Sequence, residues 1–278
     1  WHLQRFVTSR DAPTPPTPPS PLRALSDRRL VSVTITTPSW RKVRWVVTVD
    51  TLRTDHRLWR QMHFNDWDAI PAEFREPALL AMVRSYRPLF AGPAIWRDMA
   101  VEDWDKVPQP IRAMAFLRMI WFWARHEELG AEFGLSPTRL ATTVAAIVMA
   151  ESWFEHRAIN VNEYGNRDLG LAQCSDYCRA TFAKLARAGE IPFTLSEDDY
   201  YNPWLATRVA TVWFERELLG AGGDVDVAIR AYHRGLANAM DEKGDAYHAR
   251  VVRLREEYIR AQTASPAWRL LTEVIRPL

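Results

Sequence analysis

The chain is poor in the residues that announce metal or redox chemistry. Its 278 residues include two cysteines and seven histidines. Cys174 and Cys178 have no companions to complete a four-ligand zinc set, so neither a metal nor a cofactor is expected. The pair fits either a local disulfide or two buried thiols. An excess of one charge is also missing: the formal net charge is +2, too small to argue for nucleic acid as a partner. Long hydrophobic runs are absent too. The longest, Val144 to Ala150, falls far short of the roughly eighteen residues of a membrane-spanning helix. A composition 47% hydrophobic and 25% charged excludes a wholly disordered chain, a coiled coil and a collagen-like repeat. The chain opens on Trp1 rather than Met, and a removed N-terminal piece is expected ahead of it.

What is present divides into three parts. Residues 1–22 end in a run rich in Pro and Thr (12–22), which favours extended polyproline geometry and reads as a semi-rigid arm. Residues 23–128 begin with two β-rich runs, Leu30 to Thr36 and Val43 to Val49. Val31, Val33 and Ile35 alternate with Ser32, Thr34 and Thr36, the period of a half-buried strand, so a small hairpin is predicted. Helical patterning follows. Asp66-Trp67-Asp68-Ala69-Ile70-Pro71 is echoed by Asp103-Trp104-Asp105-Lys106-Val107-Pro108, with Arg75 and Arg112 at matching offsets. Each copy is expected to open a helix. The echo reads as a duplicated ligand-binding loop or as a repeated cap with core tryptophans, and the burial of large rings favours the second. Residues 129–278 form the third part. Helices are predicted over about 111–129, 137–154, 176–188, 203–219, 224–234 and 245–262, with one irregular loop at 155–173.

One residue stands out on physical grounds. Ser136-Pro137 starts a helix whose apolar positions Leu140, Val144, Ile147 and Val148 lead to Glu151, about three turns beyond Leu140 on the same face. Ala, Val, Ile and Met surround it on nearly all sides. Desolvation and the negative end of the helix dipole both raise its pKa, which suits a general acid working near neutral pH. The competing reading is a buried Glu neutralised by an Arg.

The residues that follow resemble the catalytic segment of the lysozyme-like superfamily, in chicken-type lysozymes and in soluble lytic transglycosylases. The likeness rests on Glu151-Ser152, on Asn160-x-Asn162 and on Asp168-x-Gly170-x-x-Gln173. It is nearest to the small transglycosylases of conjugation and secretion systems. Downstream, Asn202-Pro203 opens an amphipathic helix. Ala228 to Gly235 resembles the family's Ala-x-x-x-Tyr-Asn-x-Gly, and Tyr247 and Val251 follow at family positions. The resemblance covers about residues 129–262. It implies a mainly α fold, a lysozyme-like domain preceded by a region with a hairpin and helices.

It also implies cleavage of the β-1,4 bond between N-acetylmuramic acid and N-acetylglucosamine in peptidoglycan, in the cell envelope or periplasm. The implied partners are glycan strands, with an envelope or secretion-system protein as a further one. Glu151 would be acid and then base, giving a 1,6-anhydro product. Asp168 matches the second carboxylate of chicken-type lysozymes, which leaves hydrolysis as the alternative; a non-catalytic wall-binding scaffold is another. Tyr232 would set its hydroxyl near Glu151, and Ser152 and Gln173 would bond sugar. Asn162 would orient Asp168, while His233 stands where the family usually has Asn. Trp153 and Trp204, flanking the motifs, are the candidate sugar-stacking rings.

Overall fold

The computed structural model describes residues 28–36, 42–60, 70–161 and 165–264. The proposed arm, the Trp67 copy of the echo through Ala69, and Asn162 lie outside the described residues.

Strands β1 (Leu30–Thr36) and β2 (Lys42–Thr48) pair antiparallel, with Leu30 opposite Thr48 and Thr36 opposite Lys42. Val31 is buried beneath the pair, while Val46 on the other face is exposed. This is the predicted hairpin, one residue earlier on its second strand. Thr48 then accepts from Thr51 N at 3.1 Å and starts α1 (Val49–Thr54), followed by α2 (His56–Arg60). Next come α3 (Ala72–Ser85), α4 (Pro93–Asp98), α5 (Val101–Lys106) and α6 (Gln109–His126). Pro71 and Pro108 stand at the N-cap positions of α3 and α6, so the described end of each echoed copy does lead into a helix. Trp104 is fully buried, its ring edge-on to Phe116 at 5.2 Å, which is the core reading of that residue.

Helix α6 ends three residues before the predicted 129. Glu128 takes a left-handed φ of 52°, Leu129 N bonds to Ala124 O and Glu128 N to Arg125 O. That pair of bonds closes a Schellman turn at Glu128, ahead of the glycine that marked the end in the sequence.

The central helix α7 (Pro137–Ser152) starts behind Ser136, whose side chain makes no capping bond. The loop predicted as irregular contains a second small hairpin, β3 (Ile159–Val161) with β4 (Arg167–Leu169). Its strands are three residues long and β3 is exposed throughout, so no buried alternation marks it in the sequence. Helices α8 (Asp176–Ala188), α9 (Pro203–Gly220), α10 (Val225–Arg234) and α11 (Glu242–Ala264) complete the described chain. Helix α11 begins before the predicted 245 because Asp241 Oδ1 accepts from Gly244 N at 2.7 Å and caps the start.

Helix α7 is wrapped by α6, α9 and α11, and α10 bridges α9 and α11. One continuous core runs from Val31 through α6 and α7 to Tyr258. Helix α6 belongs by number to the N-terminal region, yet it buries Phe116, Met119, Ile120 and Trp123 in this core. Burying a large apolar side chain contributes roughly 1.5–3 kcal/mol, so these helices depend on one another.

Candidate active site

Glu151 is the last residue but one of α7, and the helix stops in an unusual way. Trp153 and Phe154 both take left-handed backbone angles, φ 52° and 58°. Two non-glycine residues in that region store on the order of 1–3 kcal/mol each and persist only where neighbours hold them. Phe154 is fully buried. Gln109 of α6 donates from Nε2 to Trp153 O at 3.1 Å. Ser152 Oγ lies 3.1 Å from Val148 O and 3.0 Å from Leu171 O, tying the following loop to the helix. The turn behind Glu151 is thus clamped from two sides.

The half-buried carboxyl accepts a hydrogen bond at Oε1 from Tyr247 Oη at 2.6 Å. Burial pushes its pKa up to about 7, and Asp168 adds to the rise. The Tyr247 bond and the Arg250 charge oppose it. Among the described residues no arginine forms an ion pair with Glu151, so the neutralised-Glu reading falls away. Tyr232 was the phenol expected at Glu151; its hydroxyl instead donates to Ala172 O at 3.1 Å. It still feels the Glu151 charge, and burial drives its own pKa well above the ordinary value. The direct partner, Tyr247, begins a stripe on α11 that continues with the buried Val251, Leu254 and Tyr258. That spacing was the sequence signal for a residue turned towards α7. His233 stacks on Tyr247, with ring centroids 4.5 Å apart and planes at 8°. Burial lowers the pKa of His233, so the ring is neutral near pH 7.

Asp168 sits in β4 opposite Asn160, whose Nδ2 donates to its Oδ2 at 3.4 Å. Asn160 makes a contact of the kind expected of Asn162, which lies outside the described residues. Burial raises the Asp168 pKa, against Asn160 and Arg179. Gln173, at φ 46°, donates from Nε2 to Gly170 O at 2.9 Å and Ala158 O at 3.3 Å. Gly170 has φ 68°, and a Cβ there would meet Tyr200 O at 1.8 Å, so no other residue fits the turn. Cys174 bridges back to Leu169 and is joined to Cys178 by a disulfide. The β4 turn, with Asp168 and Gln173 on it, is therefore held at several points.

Glu151, Asp168, Gln173, Tyr232, His233 and Trp153 line one cleft of about 1650 Å³. Ser152 reaches its edge with the hydroxyl turned inward. Arg250 lies over the half-buried Trp153 ring at 5.9 Å. Trp204 is a correction: it is 8% exposed and packs on Trp123 at 4.2 Å and Phe122 at 5.1 Å, in the aromatic core and away from the cleft lining. Its place at the start of α9, capped by Asn202 Oδ1, turns the ring inward.

The lining that comes from ahead of Gly134 is something local sequence patterns did not reveal. Arg60, Asp105, Gln109 and Arg112 from ahead of residue 134 line the same cleft. Arg112 lies 3.5 Å from Glu155 and Arg157 lies 2.8 Å from Asp105. Burial alone would raise Glu155; the bond from His156 at 3.3 Å and the Arg112 charge outweigh it and bring its pKa to about 2. No group of three or more His, Cys, Asp or Glu among the described residues could hold a metal ion.

Residues 134–251 match the sequence model of the family described as Transglycosylase SLT domain. No curated protein and no solved structure matches the chain. The match begins just ahead of α7 and ends inside α11, and so contains Glu151, its phenol partner Tyr247 and the hairpin bearing Asp168. From Gly134 to Val251 the chain is a transglycosylase SLT domain of the lysozyme-like superfamily.

Proposed function

We propose that the chain is a lytic transglycosylase that cleaves the β-1,4 bond between N-acetylmuramic acid and N-acetylglucosamine, with Glu151 as its acid and base. A peptidoglycan-acting role of lytic transglycosylase or lysozyme-like kind follows from the SLT domain itself. The observation that carries the finer reading is the Glu151 carboxyl, set in the cleft wall with a pKa of about 7 and a single phenol donor. Near neutral pH such a group is present in both protonation states, which is what a residue that gives and then takes a proton requires.

In the first step Glu151 gives its proton to the leaving glycosidic oxygen as the C1–O bond breaks. The substrate's 2-acetamido group shares the positive charge at C1. Tyr247 then donates to the new carboxylate. In the second step the muramyl 6-hydroxyl attacks C1 and returns its proton to Glu151, so the ring closes to the 1,6-anhydro product without water. Asp168, in the same cleft, favours hydrolysis as the second reading. A substrate of this kind places the protein in the cell envelope or periplasm, with glycan strands as its partner.

Digestion of purified sacculi by wild type and Glu151→Gln, followed by mass analysis of the muropeptides, tests the reading. Wild type should release products one water lighter than hydrolysis gives, and the variant should release none. Equal release by both removes Glu151 from the chemistry, and products of full hydrolytic mass select the Asp168 route.

A further inference from the structure

One carboxyl lining the cleft is used neither by this chemistry nor by an ion pair among the described residues. Glu217 lies in the last turn of α9, is 6% exposed and lines the cleft. Eight polar or charged residues are buried among those described. Gln109, Arg112, Thr143, Ser152, His156, Thr207 and Thr211 each have a hydrogen-bond or ion-pair partner, although Gln109 Oε1, Arg112 Nε and His156 Nε2 make no hydrogen bond among the described residues. The Glu217 carboxyl has neither a hydrogen bond nor an ion pair among the described residues, and its oxygens stay open to the cleft. The adjacent Arg216, which pulls on it electrostatically, lies over the Trp213 ring at 5.8 Å. A largely buried carboxyl without donors from the chain is costly, and water or a ligand in the cleft can supply them.

Its surroundings indicate what that ligand is. Glu217 lines the same cleft as Glu151 and Tyr232. Tyr177, 68% exposed, meets Trp213 edge-on at 6.1 Å on the same wall. An exposed ring beside an unpartnered hydrogen-bond acceptor suits a molecule with an apolar C–H face and O–H or N–H donors on its rim. We propose that Glu217 is a saccharide-binding residue, accepting a hydrogen bond from the acetamide N–H or a hydroxyl of an N-acetylated amino sugar next to the one being cleaved. This rests on the cleft being a glycan cleft, as set out above.

Binding of tetra-N-acetylchitotetraose, measured by calorimetry in a Glu151→Gln background so that the probe is not consumed, tests it. Glu217→Leu keeps the bulk and removes both oxygens. Affinity should fall by about tenfold or more, as for a lost bond to a charged group, while the melting temperature holds or rises. Glu217→Gln keeps one acceptor oxygen and should retain most of the affinity. A Glu217→Leu chain that binds as tightly as its parent overturns the proposal, as does a parent that does not bind the tetrasaccharide. Should Glu217→Leu fail to fold, Glu217→Asp decides. Loss of affinity at an unchanged melting temperature supports the proposal, and full affinity overturns it. Sacculi separate the two levels: wild type that digests nothing defeats the reading beneath, whereas Glu217→Leu digesting with the wild-type KM defeats only this inference.

Discussion

The two sides of the cleft were built under different constraints. On the SLT side, residues 134–251 carry Glu151, its phenol partner Tyr247 and the Asp168 carboxyl on α7, α11 and β4. The lining from ahead of residue 134, on α5 and α6, offers a glutamine and a set of crossed ion pairs. In the proposed mechanism the first part of the lining performs the chemistry and the second fixes geometry. The contrast shows how a family domain of ordinary sequence can depend on residues that lie outside it.

The sharpest test of that division is Glu151→Gln. Loss of a general acid lowers turnover by about 10²–10⁴-fold. The same change should stabilise the fold at high pH. The folded pKa of Glu151 is raised from 4.5 to about 7. Below pH 4.5 the group is neutral folded or unfolded and costs nothing. Above pH 7 the folded state carries the full cost of its charge, with a ceiling of roughly 3 kcal/mol set by the shift. Urea unfolding at pH 5 and pH 8 should therefore show a gain for the variant only at the higher pH.

Tyr247→Phe comes next. The phenol bond lowers the Glu151 pKa, so its removal should move the alkaline limb of the kcat/KM profile to higher pH. The maximum rate should fall about 10–100-fold as the carboxylate loses its donor. A profile that stays in place would show that the phenol only packs.

From the other part of the lining, Gln109→Ala removes the Nε2 bond to Trp153 O and should destabilise by about 1–3 kcal/mol, read as a lower melting temperature. If the wall fixes geometry, turnover falls as well while KM changes little. If turnover is untouched, the two sides are independent and the division fails. The smallest effect belongs to Arg157→Ala. Its pair with Asp105 is partly exposed, so a loss within about 1 kcal/mol, shrinking with added salt, is expected.

The same division explains what was legible in the sequence. Glu151 was readable because its helix is apolar on all sides and the catalytic motifs follow within a short stretch. Helix α8 was readable to the residue, since Ser175 and Gly189 cap it with their own chemistry. Gln109 was not, because its partner Trp153 lies far along the chain and a lone glutamine after a proline carries no pattern. Tyr232 and Tyr247 could be located but not told apart, since the choice turns on which phenol is aimed at Glu151, a matter of helix packing. Trp204 misled for a related reason: proximity to a motif along the chain says nothing about which way a ring points.

The hydrogen bond from Gln109 to Trp153 bears on how such a domain can be moved between proteins. A graft cut at Gly134 would leave behind α6, the partner that both roofs α7 and pins the strained corner after its acid. Recombination that preserves function must carry residues 109–126 along, so the heritable unit is longer than the stretch by which it is recognised.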